Sequence, residues 1–208
     1  GREGLFINIQ ALFLKFFGIT EPWVLRLPSA IFGILTVLGI YFLAKELFSA
    51  RVGLLSSFFL ATSFWHINFS HIGFRAIMAP FFLTWSLYFL IKAIKSAKEN
   101  SSATFYFLLS TLSGILYGLG FYSYIAYRVT PILILFVILF YWLKNNGSVI
   151  RKKILHSTFY FLLSAFIVAL PIGLYFLQNP ADFMGRTTQV SVFSSPSPLN
   201  DLATNTVK

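Results

Sequence analysis

The sequence predicts an all-α fold, a polytopic transmembrane helix bundle of about six spans, with one further amphipathic helix in the membrane interface. Three observations carry this. Apolar runs close to spanning length recur six times, separated by short polar segments. Only 11% of the residues are charged, where a soluble domain carries about a quarter. Phenylalanine occurs 26 times, beside ten Tyr and four Trp, which suits a lipid-facing surface with aromatic belts. A net charge of +10 would suggest nucleic acid as the partner of a soluble protein. Here the Lys and Arg sit in loops between apolar runs, so the charge is read as membrane topology and no nucleic acid is expected. With no cysteine, neither a disulfide nor a thiolate metal site exists.

The elements follow in order. In Leu5–Phe17 the residues Leu5, Phe6, Ile9, Leu12, Phe13, Phe16 and Phe17 recur at helical spacing, opposite Gly4, Asn8, Ala11, Lys15 and Gly18. The segment is too short to span and is assigned to the interface. Leu27–Ala44 carries no charge, and neither does Val52–Phe69, whose last turn holds His66 and Asn68. Ala76–Ile91 is followed by Lys92 and Lys95, placed to snorkel to headgroups. Ser101–Tyr127 is uncharged and holds a helix near Phe105–Tyr124. Val129–Leu143 ends in the belt-like pair Tyr141 and Trp142, and Ile154–Leu177 contains Pro171, which neighbouring helices accommodate in a membrane. Residues 1–208 thus read as one transmembrane domain: an interfacial helix over 4–18, six spans over 24–177, and an incomplete outer-side loop over 178–208. The start at Gly1 and the polar end at Lys208 are read as cuts in a longer protein, so the chain is taken as a fragment.

Six crossings put both ends on one side. The opposite side then holds Lys45, Arg51, Lys92, Lys95, Lys98, Lys144, Arg151, Lys152 and Lys153 against Glu46 and Glu99. The side of the termini holds Arg2, Lys15, Arg26, Arg75, Arg128, Arg186 and Lys208 against Glu3, Glu21, Asp182 and Asp201. The lysine-rich side is cytoplasmic by the positive-inside rule, and the termini face the periplasm, exterior or a lumen.

Candidate chemistry lies on that outer side. Arg26, Arg75 and Arg128 each stand beside the start of an apolar run, where positive-inside statistics disfavour cations. A guanidinium fork donates two hydrogen bonds to one phosphate, more strongly where water is scarce. A single Arg in such a place is ordinarily a headgroup contact; three on one face, interleaved with Tyr and His, favour phosphate binding. His71 precedes Arg75 by four residues, so one helical turn would point both at a common anion. Tyr127 stands next to Arg128 as an assisting hydroxyl. His66 is expected to cap its own helix near Trp65 and Asn68, and His156 to be an interfacial residue beside the cluster Arg151-Lys152-Lys153. Three His and no carboxylate cluster give no metal site in this segment, no cofactor is evident, and a divalent-metal requirement is left open. Glu21-Pro22-Trp23 reads as the lead-in to a helix. Gly114, Gly118 and Gly120 permit close helix packing.

In order along the chain, Gly1-Arg2-Glu3-Gly4-Leu5, Leu25-Arg26-Leu27-Pro28-Ser29-Ala30, Phe69-Ser70-His71-Ile72-Gly73-Phe74-Arg75-Ala76, Tyr122–Arg128 and Arg186-Thr187-Thr188-Gln189-Val190-Ser191 resemble a bacterial branch of the GT-C membrane glycosyltransferases. This is the superfamily of protein O-mannosyltransferases and the lipid A aminoarabinose transferase. The resemblance implies a polyprenyl-phosphate-linked sugar as donor and a protein, lipid or glycan hydroxyl as acceptor, with membrane lipids as surroundings. It implies a bacterial plasma (inner) membrane location with the active side periplasmic or extracellular. The family's catalytic Asp is expected upstream of Gly1. Where many relatives carry His or Glu followed by two prolines, this chain reads Arg2-Glu3-Gly4. Sugar transfer needs a base for the acceptor proton, for which this stretch offers Glu3. It also needs cations for the departing phosphate, a role for Arg75, Arg128 and Arg26 with His71 and Tyr127 assisting.

Two other readings share these features. A transporter or flippase of lipid-linked sugars would also use outer cations, but would want charge within the spans, and none lies there. A non-catalytic membrane scaffold would use the Arg residues only on headgroups, and would tolerate truncation of the outer loops.

Overall fold

The computed structural model describes residues 4–98, 102–145 and 147–180. All regular elements among them are helical: α1 (Gly4–Phe17), α2 (Pro22–Leu47), α3 (Ala50–Thr62), α4 (Phe64–His71), α5 (Met78–Lys98), α6 (Ala103–Gly120), α7 (Thr130–Lys144) and α8 (Ser148–Gln178). Single 3-10 turns over Arg75–Ile77 and Ile125–Val129 lead into α5 and α7. By chain contacts one unit runs to Ala169 and a second begins at Leu170.

Local chemistry sets most boundaries. α1 stops at Gly18, whose φ of +66° takes the left-handed conformation that closes a helix, with its N–H donating to the Leu14 carbonyl at 2.9 Å. Pro22 opens α2, where its missing N–H costs nothing. Ser49 and Ser102 cap α3 and α6 by accepting from the Val52 and Phe105 amides. Pro131 sits in the first turn of α7.

Five helical stretches are long and apolar enough to cross a membrane: Pro22–Leu47, Arg75–Lys98, Ala103–Gly120, Ile125–Lys144 and Ser148–Gln178. At about 1.5 Å per residue even the shortest approaches the hydrocarbon thickness. A sixth crossing is reached if α3 and α4 count together. Here the structure corrects the sequence reading of one helix over Val52–Phe69. The segment breaks at Ser63, which is extended (φ −67°, ψ 126°), and α3 and α4 meet at 61°. The break leaves no orphaned amide at its centre, because Ser63 N–H still donates to Leu60 O. Tertiary contact holds the bend. His66 Nε2 lies 3.1 Å from the Gly33 carbonyl of α2, and Ser70 is packed on Gly33 so closely that a Cβ there would meet its Oγ at 2.2 Å. His66 is therefore an inter-helix tether and not the cap of its own helix. A half-buried ring nitrogen held against a carbonyl in apolar surroundings is stabilised by that partner.

The core lies where α5 packs on α2 and α6, around Met78, Phe82, Leu90, Ile94, Tyr117, Tyr127, Ile134 and Phe161. Two pairs of buried serines link helices across it. Ser113 Oγ donates to Ser86 O at 2.7 Å, and Ser110 and Ser157 share a hydrogen bond of 2.5 Å. α6 meets α8 through its glycines, as their spacing predicts. A Cβ on Gly114 would fall 2.2 Å from Phe161 O, and one on Gly118 2.8 Å from Ala165 O. Outward faces are apolar: Ile34, Ile132, Phe136 and Phe166 are all more than 60% exposed. Such a surface is unsupportable in water and ordinary in lipid.

In α1, Leu5, Phe6 and Ile9 pack on the core while Leu12 and Phe16 are exposed. The apolar face read from the sequence is thus divided between protein and surroundings.

Candidate functional site

Three stretches carrying the candidate cations come together at one end of the helices. The first is the start of α2, where Gln10 Nε2 of α1 donates to the Leu25 carbonyl at 2.8 Å and Arg26 is exposed. The second is the turn after α4. Gly73 adopts φ +73°, which a side chain would disfavour, and this lets the backbone fold onto α2. A Cβ built there would stand 3.5 Å from both Arg26 Cγ and Leu25 O. The third is the 3-10 turn Ile125–Val129, reached from the second by the ring of Phe74 against Tyr124, with centroids 5.9 Å apart. A row of rings, Trp65, Phe69, Phe74 and Tyr124, with successive centroids 5.6–6.1 Å apart, ties the bent α4 to this turn.

Within that frame Arg75 opens the 3-10 turn before α5. It is half-buried, with Nε shielded from solvent. Arg128 is likewise half-buried and stands two residues before α7. Each of the three arginines therefore lies at or near a helix N-terminus: in the second turn of α2, before α5 and before α7. The partial positive charge at the starts of α5 and α7 adds to the Arg75 and Arg128 guanidiniums, and such ends accept anions readily. His71 closes α4, is exposed, and its Nδ1 lies 2.8 Å from Ile67 O. Since a carbonyl only accepts, Nδ1 carries the proton and Nε2 is the atom left for another partner.

Tyr127 stands apart from these. It is 1% exposed, its ring packs on Tyr117 and Phe121, and Gly120 approaches so closely that a Cβ there would overlap the Tyr127 ring at 2.1 Å. Its hydroxyl is closed off from solvent. The alternation around Arg128 turns Tyr127 into the core, where it anchors the turn that carries Arg128. Glu3 lies outside the described residues, as does Arg186. Among the described residues no group of three His, Asp or Glu side chains gathers in one place. His156 is exposed and bonded to Lys152 O within its own helix.

The sequence reading did not anticipate Gly73 and Phe74 as the parts that join the stretches. A glycine directly after a helix end was the available signal for a left-handed turn; which strand of chain the turn would fold against was not encoded locally.

Chemically, an exposed Arg and two half-buried Arg near helix N-termini, with the His71 imidazole at the C-terminal end of α4, are groups able to donate hydrogen bonds to an anion. No curated protein and no solved structure matches the chain. The sequence profile of the dolichyl-phosphate-mannose-protein mannosyltransferase family matches residues 5–175, a range that contains every helix of the frame and all three arginines. Together with the membrane-spanning bundle, this match means that the chain belongs to the dolichyl-phosphate-mannose-protein mannosyltransferase family and is a membrane glycosyltransferase of the GT-C type.

Proposed function

We propose that this glycosyltransferase takes its sugar from a polyprenyl phosphate and passes it to a hydroxyl of a protein, lipid or glycan at the outer face of a bacterial plasma membrane. The observation that supports this best is the joining of the Arg26, Arg75 and Arg128 stretches through Gly73 and the Phe74–Tyr124 contact. In transfer, the acceptor oxygen bonds to the anomeric carbon, the bond from that carbon to the phosphate oxygen breaks, and the acceptor proton passes to a base. Charge then builds on the departing phosphate. Arg75 and Arg128 neutralise it at close range, with Arg26 at the rim. In its imidazolium form His71 would add Nε2–H as a further donor to the phosphate. Glu3 is the base offered by this stretch of chain. Tyr127 contributes by holding the Arg128 turn in place.

Binding of a short-chain polyprenyl phosphate to the full-length protein in detergent tests this reading. Arg75→Ala and Arg128→Ala each remove a charge-assisted contact of about 1.5–3 kcal/mol, so each is expected to weaken binding by at least about tenfold. Arg75→Lys restores only part of the loss, because an ammonium lacks the two-pronged geometry. Binding indifferent to both alanine variants would remove the phosphate from this site and leave the arginines to lipid headgroups.

A further inference from the structure

At the C-terminal ends of α2 and α5 the structure repeats one arrangement on two packed helices. On α2, Lys45 follows Tyr41 by one turn and its Nζ lies 5.8 Å from the ring centroid. On α5, Lys92 follows Tyr88 by one turn, 5.4 Å from the ring centroid, and its Nζ donates to the Tyr88 hydroxyl at 3.1 Å. The two pairs stand on a continuous bed of rings: Tyr41 on Phe42 (5.3 Å), Phe42 on Tyr88 (5.8 Å) and Trp85 (6.0 Å), and Tyr88 on Phe89 (5.0 Å). The bed is fixed in place, because Trp85 Nε1 donates to Leu35 O at 3.0 Å and its ring packs against Gly39.

A neighbouring lysine, Lys95, is already neutralised. Lys95 pairs with Glu46 at 3.0 Å and also donates to the Glu46 carbonyl. Among the described residues, Lys45 and Lys92 have no such carboxylate.

We infer that Lys45 and Lys92, with Tyr41 and Tyr88, bind the headgroup of an anionic phospholipid from the surrounding bilayer. Two ammonium groups held over aromatic faces are pre-oriented, which lowers the side-chain entropy lost on binding a phosphate. The Tyr88 hydroxyl supplies a further polar contact. Towards the middle of the span the same face of α2 is apolar, with Leu38 and Ile34, one and two turns before Tyr41, 43% and 69% exposed. Acyl chains would lie on that surface, and a free phosphate would make no use of it. This site lies apart from the arginines and does not rest on the transferase reading.

The test uses the full-length protein in nanodiscs of phosphatidylcholine mixed with phosphatidylglycerol, with bound lipid read by native mass spectrometry. A Lys near an anionic surface contributes enough that losing two should lower retained phosphatidylglycerol roughly thirtyfold. That loss is expected for the double variant Lys45→Gln, Lys92→Gln, and a smaller one for Lys92→Gln alone. Lys45→Arg, Lys92→Arg keeps the charge and should retain the lipid. Lys152→Gln, an exposed lysine outside the arrangement, should leave retention unchanged. Full retention in Lys92→Gln and in the double variant would overturn the site. So would an equal loss in Lys152→Gln, which would mean diffuse charge attraction, or displacement of the lipid by inorganic phosphate at equal concentration, which would mean that the rings play no part. If the double variant does not fold, Lys92→Gln decides.

Discussion

Gly73→Ala separates the frame of the site from its charges. At φ +73° an L side chain costs about 1–2 kcal/mol. The new Cβ would meet Arg26 Cγ and Leu25 O at 3.5 Å, ordinary contact distance, so packing adds nothing and the cost is conformational. The turn either keeps its shape under that strain or relaxes to negative φ and swings Phe74 and Arg75 away from α2. In the first case thermal stability falls; in the second, the phosphate site opens. In the second case polyprenyl phosphate binding should drop by a factor of up to roughly 5–30, the equivalent of that energy. Gly18→Ala is the control: its φ is +66° with nothing within 4 Å, so it bears similar strain at a helix end outside the arginine frame. Gly73→Asn should recover part of the loss, because Asn tolerates the left-handed region better. The assays are thermal unfolding in detergent and equilibrium binding of the probe. Gly73→Ala with both wild-type affinity and wild-type thermal stability, or Gly18→Ala with the same loss of affinity, would refute the claim that the Gly73 turn joins Arg26 to Arg75.

Two further outcomes follow from the packing. Gly114→Val should destabilise the protein by at least about 1–3 kcal/mol, since its Cβ would lie 2.0 Å from Ser164 Oγ and 2.2 Å from Phe161 O. Gly173→Ala, with nothing within 4 Å, should be neutral or slightly stabilising, and a thermal melt of both in one detergent checks the contrast. His66→Leu should lose about 0.6–1.7 kcal/mol, the span measured for single inter-helix hydrogen bonds in membranes. His66→Gln, whose amide can still donate to Gly33 O, should lose less, and equal melting temperatures for the two would mean that the tether contributes only bulk.

Much of the site was visible along the chain, and the divisions have physical causes. Arg26, Arg75 and Arg128 could be picked out singly because a cation beside an apolar run is costly wherever the run folds. His66 was misread, since a histidine at the end of an apolar segment has the same local surroundings whether it bonds its own helix or another. Tyr127 was singled out for its neighbour, Arg128. Consecutive residues in a tight turn project in different directions, so a one-residue offset sends Tyr127 into the core beneath Gly120.

The chain by itself determined the class of the fold. Transfer of about 20 apolar residues into lipid outweighs every local preference, so the spans at Pro22–Leu47, Ala103–Gly120 and Ser148–Gln178 follow from composition and length alone. Small residues at a four-residue spacing likewise marked the face of α6 that meets α8. Only the tertiary structure decided the break at Ser63, the seating of α4 on Gly33, and the fold of Gly73 onto Arg26. Those features depend on contacts between residues up to 48 apart in the chain, as from Leu25 to Gly73. Such contacts differ by a hydrogen bond or a glycine approach, and no local pattern of hydropathy carries that information.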